Sequence, residues 1–172
     1  MSLLQAARPL DPWRWLGQPA LISVAATLLF AIPFKAFGLR LPEPVFPLVL
    51  AFAWAVIRPS ILAPFLLLAL GLFLDLYWGG PLGLWGVSLL AAYAGMLGAR
   101  RIMIGQSRLM RRLWFMAAIA AALAVGALIS TVETLAVPNL LATFWQFLAT
   151  SLLFPFAHHL IERFEDADVR FR

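Results

Sequence analysis

The chain has no cysteine, only two histidines and two tyrosines in 172 residues, and 12% of its positions are charged. Without cysteine there is no disulfide, no thiolate nucleophile and no cysteine–metal cluster. Zinc needs three or four ligands, and no cysteine or further histidine is there to complete a set begun by His158 and His159. The scarcity of charge removes the polar surface that a soluble domain of this length requires. Strand-like alternation of polar and apolar residues is absent too, which argues against a membrane barrel. What fills the sequence instead is apolar: 63% hydrophobic residues and a mean hydropathy of +0.92. Such an excess has to face lipid, so the expectation is an all-α integral membrane protein in one polytopic domain.

Apolar stretches fall at 19–37, 41–57, 60–78, 82–99, 113–137 and 139–161. A bilayer core about 30 Å thick takes about 20 helical residues, which predicts about six transmembrane helices in one bundle. Within that core the backbone must satisfy its own hydrogen bonds, which here means helices. The first run lacks a small-residue cleavage pattern and is read as a retained span. Pro42, Pro44 and Pro47 crowd the start of the short second run, and a first helical turn tolerates proline because its N–H would be unpaired anyway. Pro33, Pro64 and Pro155 lie inside runs and predict kinks. Gly95, Gly98 and the alanine-rich stretch from Ala117 to Ala127 mark faces suited to close helix packing.

The formal net charge of +5 is explained by topology rather than by nucleic acid, because the cations sit at the ends of apolar runs. Arg100, Arg101, Arg108, Arg111 and Arg112 form a basic loop that is expected on the cytoplasmic side. Arg163, Arg170 and Arg172 follow two spans later and so fall on the same side. For the first two runs the charge rule leaves two models open. Six spans with the N-terminus inside put Lys35 and Arg40 outside; five spans with the N-terminus outside put Arg8 and Arg14 there. Six is the expectation carried forward.

Ionisable groups inside a membrane cost several kcal/mol, so each needs a reason. Asp75 lies about 15 residues, roughly 22 Å, along a helix rising from the cytoplasm, and Glu133 roughly 30 Å along the fifth span. Both are therefore expected near the outer face, where Lys35 reaches a similar height and could join them in a charge cluster. Adjacent helical positions point about 100° apart, so His158 and His159 read as interfacial polar residues. Neither Ser88 nor Ser151 has the glycine-flanked setting of an intramembrane nucleophile, and no phosphate loop is present. The sequence supplies no catalytic set and no cofactor site.

The most informative stretch runs from Gly71 to Gly83 and holds Asp75, Gly79, Gly80 and Pro81. Gly79, Gly80 and Pro81 predict a tight reversal between two spans. Asp75 is placed to accept hydrogen bonds from free N–H groups at the start of the next helix and so to order the turn. Gly71 and Gly83 are expected to let neighbouring helices approach closely, and Trp78 and Trp85 fall where an aromatic belt belongs.

This Gly71-x3-Asp75-x3-Gly79-x3-Gly83 run resembles the rod shape-determining protein family MreD. The proline-rich opening of 41–57, the Arg58-Pro59 turn, the basic stretch near 100–112 and the chain length agree with it. Residue-level matching is concentrated between about 42 and 93, and Pro42-Glu43-Pro44 stands where many members read Pro-Asp. The resemblance implies a non-enzymatic scaffold of the bacterial inner membrane; the arginine placement puts its C-terminus, and in the six-span model its N-terminus, in the cytoplasm. It further implies binding to MreC, and association with RodA, a class B penicillin-binding transpeptidase and the actin-like MreB, in the machinery that builds lateral peptidoglycan and maintains rod shape. That family is similar in fold to the substrate-binding subunits of energy-coupling-factor vitamin transporters. A small-molecule-binding subunit of that kind is therefore the alternative, motivated by Asp75, Glu133 and the aromatic residues near them. Very short outer loops favour the scaffold, and the lack of mid-depth ionisable residues makes a proton-coupled carrier the weakest of the three.

Overall fold

The computed structural model describes residues 13–30, 35–36, 39–40, 43–57, 59–103, 105–136 and 138–169, with the side chains at 35–36, 39–40 and 165–169 outside that description. Among these residues the architecture is helical. A π-helical turn, Trp13–Gly17, leads into α1 (Gln18–Phe30), then α2 (Phe46–Ile57), α3 (Leu62–Trp78), α4 (Leu84–Met103), α5 (Arg108–Thr134), α6 (Leu140–Ser151) and α7 (Phe154–Val169). Between α1 and α2 a two-residue antiparallel ladder pairs Lys35 with Arg40 and Ala36 with Leu39.

The helix boundaries have local causes. Ser107, in an extended conformation, accepts from the Met110 N–H and caps α5, and Asn139 accepts from the Leu141 and Ala142 N–H groups to cap α6. A side-chain oxygen at this position satisfies amides that have no partner inside the helix. α3 stops at Gly79, whose φ of 65° is left-handed and carries little strain without a Cβ. The break between α6 and α7 falls at Leu152–Leu153, where the Leu153 N–H turns to the Thr150 carbonyl at 3.0 Å. Pro155 explains it: the residue has no N–H to donate and its ring crowds the carbonyl four residues back, that of Ser151.

At the centre stands α2, packed against α1, α3, α4, α5 and α7. All residues from Pro47 to Ala55 are buried, so this helix faces protein on every side. Ala51, Ala53 and Ala55 keep its neighbours close. Phe52 meets the Phe115 ring edge-on at 5.2 Å, and the Trp54 Nε1 donates to the Trp15 carbonyl at 3.2 Å. A 12-residue helix is only ~18 Å long, which leaves its terminal backbone groups inside the bundle. Neighbours satisfy them. The Val45 N–H, just before the helix, donates to Thr150 Oγ1 at 3.1 Å, at the α6–α7 break. At the other end Arg100 of α4 donates through Nε to the Val56 carbonyl at 3.1 Å and through Nη2 to that of Ile57 at 3.2 Å. A cation at a helix C-terminus is also favoured by the helix dipole.

The predicted runs are redistributed accordingly. The run at 19–37 is helical over Gln18–Phe30 and holds the ladder residues Lys35–Ala36; Pro33, where a kink is predicted, lies outside the described residues. The run at 41–57 is helical only from Phe46 and is a protein-buried core element. The basic loop is mostly helix: Arg100 and Arg101 end α4, while Arg108, Arg111 and Arg112 begin α5. Arginine is a good helix former, and the positive-inside rule reads charge, not conformation.

Two segments, Arg108–Thr134 and Leu140–Phe164, are long and apolar enough to cross a membrane, and only 28% of the apolar window of each is buried within the protein. Gly126 of α5 sits against Leu84 and Ser88 in the first turns of α4. The last eight or so residues of α5 therefore run ~12 Å past the start of α4. Together with α6 they form a two-helix projection whose Leu128, Val132, Leu140, Leu141 and Phe144 are exposed.

Candidate functional site: a carboxylate clasp between two helices

The motif-bearing stretch folds into the junction of α3 and α4. Asp75 lies one turn before the end of α3 and is 1% exposed. Its backbone carbonyl accepts from the N–H of Gly79 and, at 3.0 Å, from that of Gly80, which closes the helix. Its carboxylate reaches across the turn, where Oδ2 accepts from the Gly83 N–H at 2.7 Å and Oδ1 from the Trp85 N–H at 2.9 Å. The amides at the start of α4 thus gain two charge-assisted bonds, and the negative charge lies at the positive end of the helix dipole. The turn itself is completed by the Leu84 N–H on the Pro81 carbonyl at 3.2 Å and the Val87 N–H on that of Gly83 at 2.8 Å.

One helical turn before Asp75, Gly71 lies directly against the backbone of Gly86: a Cβ on Gly71 would collide with Gly86 Cα and N and come within 2.7 Å of the Trp85 carbonyl carbon. This backbone-on-backbone crossing holds α3 against α4 at the level where the carboxylate needs its amides. The glycines of the run divide into two kinds. Gly71 provides close approach, whereas Gly79 and Gly83, with φ of 65° and 94°, provide left-handed turn geometry and have open space where a Cβ would sit. For Gly83 this differs from the close helix approach expected of it, because the residue lies in the reversal just before α4.

Above the clasp, Trp78 Nε1 donates to Glu43 Oε2 at 3.0 Å, and the Trp78 and Trp85 rings meet edge-to-face at 5.1 Å. The segment leading into α2 is tied to the same junction in this way. Glu43 is marked in the sequence only by its place in Pro42-Glu43-Pro44, and Gly86 is not marked at all. A carboxylate among prolines has no local signal for a tryptophan partner 35 residues on, and Gly86 becomes meaningful only once the crossing point of two helices is known.

The proposed outer charge cluster is not assembled by the described side chains. Asp75 is occupied by backbone amides, Glu133 is exposed near the end of α5, and no ion pair joins either to a cation among the described residues. The Lys35 side chain lies outside the described residues. At the opposite end, Arg108 of α5 approaches Glu162 of α7 at 3.5 Å, and Glu162 also meets His158 Nε2 at 3.0 Å. His158 is buried and stacked on Phe154, with centroids 5.7 Å apart and planes at 8°, while His159 is exposed; the two histidines diverge. Ser88 and Ser151 each bond a carbonyl of their own helix, at 2.8 and 2.7 Å. Among the described residues no group of three or more histidine and carboxylate side chains is placed to hold a metal ion.

Chemically, the junction is a lock. Its one buried carboxylate has both oxygens engaged, and the groups around it are amides, indoles and glycine backbone. No family model, no curated protein and no solved structure matches the chain.

Proposed function

We propose that this chain is a multi-pass scaffold of the bacterial inner membrane that binds an MreC-type partner in the cell-wall elongation machinery. The observation that carries the reading is the clasp. The Gly71–Asp75–Gly79–Gly83 run on which the MreD resemblance rests is occupied in bonding α3 to α4, with both carboxylate oxygens on the Gly83 and Trp85 amides. The motif therefore serves architecture, as a scaffold requires, and offers no group free to react or to carry a proton. Membrane placement is favoured by the exposed apolar faces: Leu21, Ile22 and Leu29 on α1, Phe65 and Leu76 on α3, Leu128 and Val132 on α5. Water does not tolerate so much contiguous apolar surface on a monomer. A bundle of about six crossings, similar to the energy-coupling-factor binding subunits, accommodates α1 to α5 and the broken α6–α7 segment, with short α2 shielded at its centre.

Orientation follows from charge. Arg100, Arg101, Arg108, Arg111 and Arg112 belong to one end of the bundle, and the Arg108–Glu162 approach brings α7 to that end as well. In our reading this end is cytoplasmic. The cysteine-free sequence permits a direct test by single-cysteine labelling in intact cells. A cysteine at Gln106 should be protected from an impermeant maleimide, and one at Ala136 should be labelled. The reverse pattern would turn the topology over.

The function itself is tested by purifying the tagged protein from its native membranes in mild detergent and identifying what accompanies it by mass spectrometry. Recovery of MreC with RodA, its class B transpeptidase and MreB is the expected result. Recovery of paired ATPase subunits and a coupling membrane protein would replace the scaffold by the transporter reading.

A further inference from the structure

At the arginine-rich end, a groove of about 260 Å³ opens between the α2–α3 connection and α4, lined by Pro59, Ser60, Ile61, Pro64, Tyr93 and Leu97. Its walls are apolar apart from Ser60 and the Tyr93 hydroxyl, which is already turned to the Ser60 carbonyl at 3.5 Å. Two of its six residues are prolines, which contribute no N–H, and no carboxylate lines it. One turn beyond Leu97 on α4 come Arg100 and Arg101, at the i+3 and i+4 positions that share its face. Arg100 is committed to the carbonyls that end α2. Arg101 is exposed and has no hydrogen bond or ion pair among the described residues. The Ser60 hydroxyl accepts from the Leu62 N–H at 3.2 Å, and its own proton remains free to donate.

We propose that this groove binds one anionic glycerophospholipid, with an acyl chain against Pro59, Pro64 and Leu97 and the headgroup phosphate met by Arg101 and the Ser60 hydroxyl. The proposal rests on the membrane reading above. An apolar slot with the exposed Arg101 one turn further along the same α4 face selects a ligand that is apolar for most of its length and anionic at one end. A guanidinium favours a headgroup with net negative charge over a zwitterionic one. A basic side chain near an anionic lipid surface contributes about 1 kcal/mol, equivalent to roughly fivefold in occupancy.

The test is native mass spectrometry of the full chain, purified in mild detergent and titrated with equimolar phosphatidylglycerol and phosphatidylcholine. The wild type should retain a first phosphatidylglycerol in preference to phosphatidylcholine. Arg101→Gln, a change on an exposed side chain that leaves the fold intact, should reduce that retention roughly fivefold. Leu97→Trp should fill the groove and abolish it, whereas Arg112→Gln, on α5 and away from the lining helices, should keep it. Equal retention of the two lipids, or an Arg112→Gln loss as large as that of Arg101→Gln, would overturn the site. Flotation with liposomes separates the two levels of the argument. A chain that fails to float overturns the membrane reading and the site with it. One that floats without lipid preference overturns the site alone.

Discussion

Replacing Asp75 by Leu will lower the melting midpoint of the detergent-solubilised protein by on the order of 10 °C and deplete the folded protein from membranes. The substitution removes two hydrogen bonds made by an ionised acceptor, at 2.7 and 2.9 Å, each worth about 1.5–3 kcal/mol. It also leaves the half-buried Gly83 and Trp85 amides facing an isobutyl group without their acceptor. Asp75→Asn preserves the shape and one acceptor but presents an NH2 to the second amide, donor against donor, so its midpoint should fall between the two. Fluorescence-detected size exclusion after a heating series measures all three. A wild-type midpoint for Asp75→Leu would remove the clasp from the account of how α3 and α4 are joined. An Asn variant as damaged as the Leu variant would show that one acceptor does not hold the junction and that both carboxylate oxygens are needed.

Why the clasp was legible while the centre of the bundle was not comes down to range. Asp75, Gly79, Gly80, Pro81 and the start of α4 lie within a dozen residues, so turn chemistry and capping rules applied to the sequence reach all the partners. The burial of α2 is a different matter. Lipid tails are as apolar as leucine, so the run from Phe46 to Ile57 reads the same whether it faces lipid or five other helices. Its shortness and its three early prolines were the visible signs, and they are compatible with either setting. The partners that make burial tolerable, Thr150 at one end and Arg100 at the other, stand 105 and 44 residues away from the groups they satisfy. Arg100 shows a further gap between levels. The topology rule uses its charge to place a loop, but the side chain belongs to a helix and closes another helix's C-terminus. Pro155 predicts a kink, and the structure has a full interruption between α6 and α7, beside which Thr150 Oγ1 accepts from the Val45 N–H.

Gly71→Leu should be the most damaging single substitution at the junction, and its effect should absorb that of Asp75→Leu. The atoms a side chain would meet at Gly71 are the backbone of Gly86 and the carbonyl carbon of Trp85, which do not swing aside as a flexible side chain does. The helices must therefore part. In a membrane, where lipid competes on equal terms for apolar contact, van der Waals packing between close backbones is a main source of helix association, and parting them forfeits it along α3 and α4. Because Asp75 is one turn from Gly71, the same displacement draws the carboxylate from the Gly83 and Trp85 amides. The two residues then act as a unit, and a double-mutant cycle should show coupling of about 1–3 kcal/mol, with Asp75→Leu adding little once Gly71→Leu is present. Two controls separate this from a general dislike of larger residues. Gly95 is helical with open space around it, so Gly95→Ala should be neutral or slightly stabilising. Gly83→Ala meets no neighbour but must hold a φ of 94°, and should lose about 1–2 kcal/mol from backbone strain alone. Additive losses for the Gly71 and Asp75 variants would mean that the crossing and the cap are independent devices that happen to share a turn.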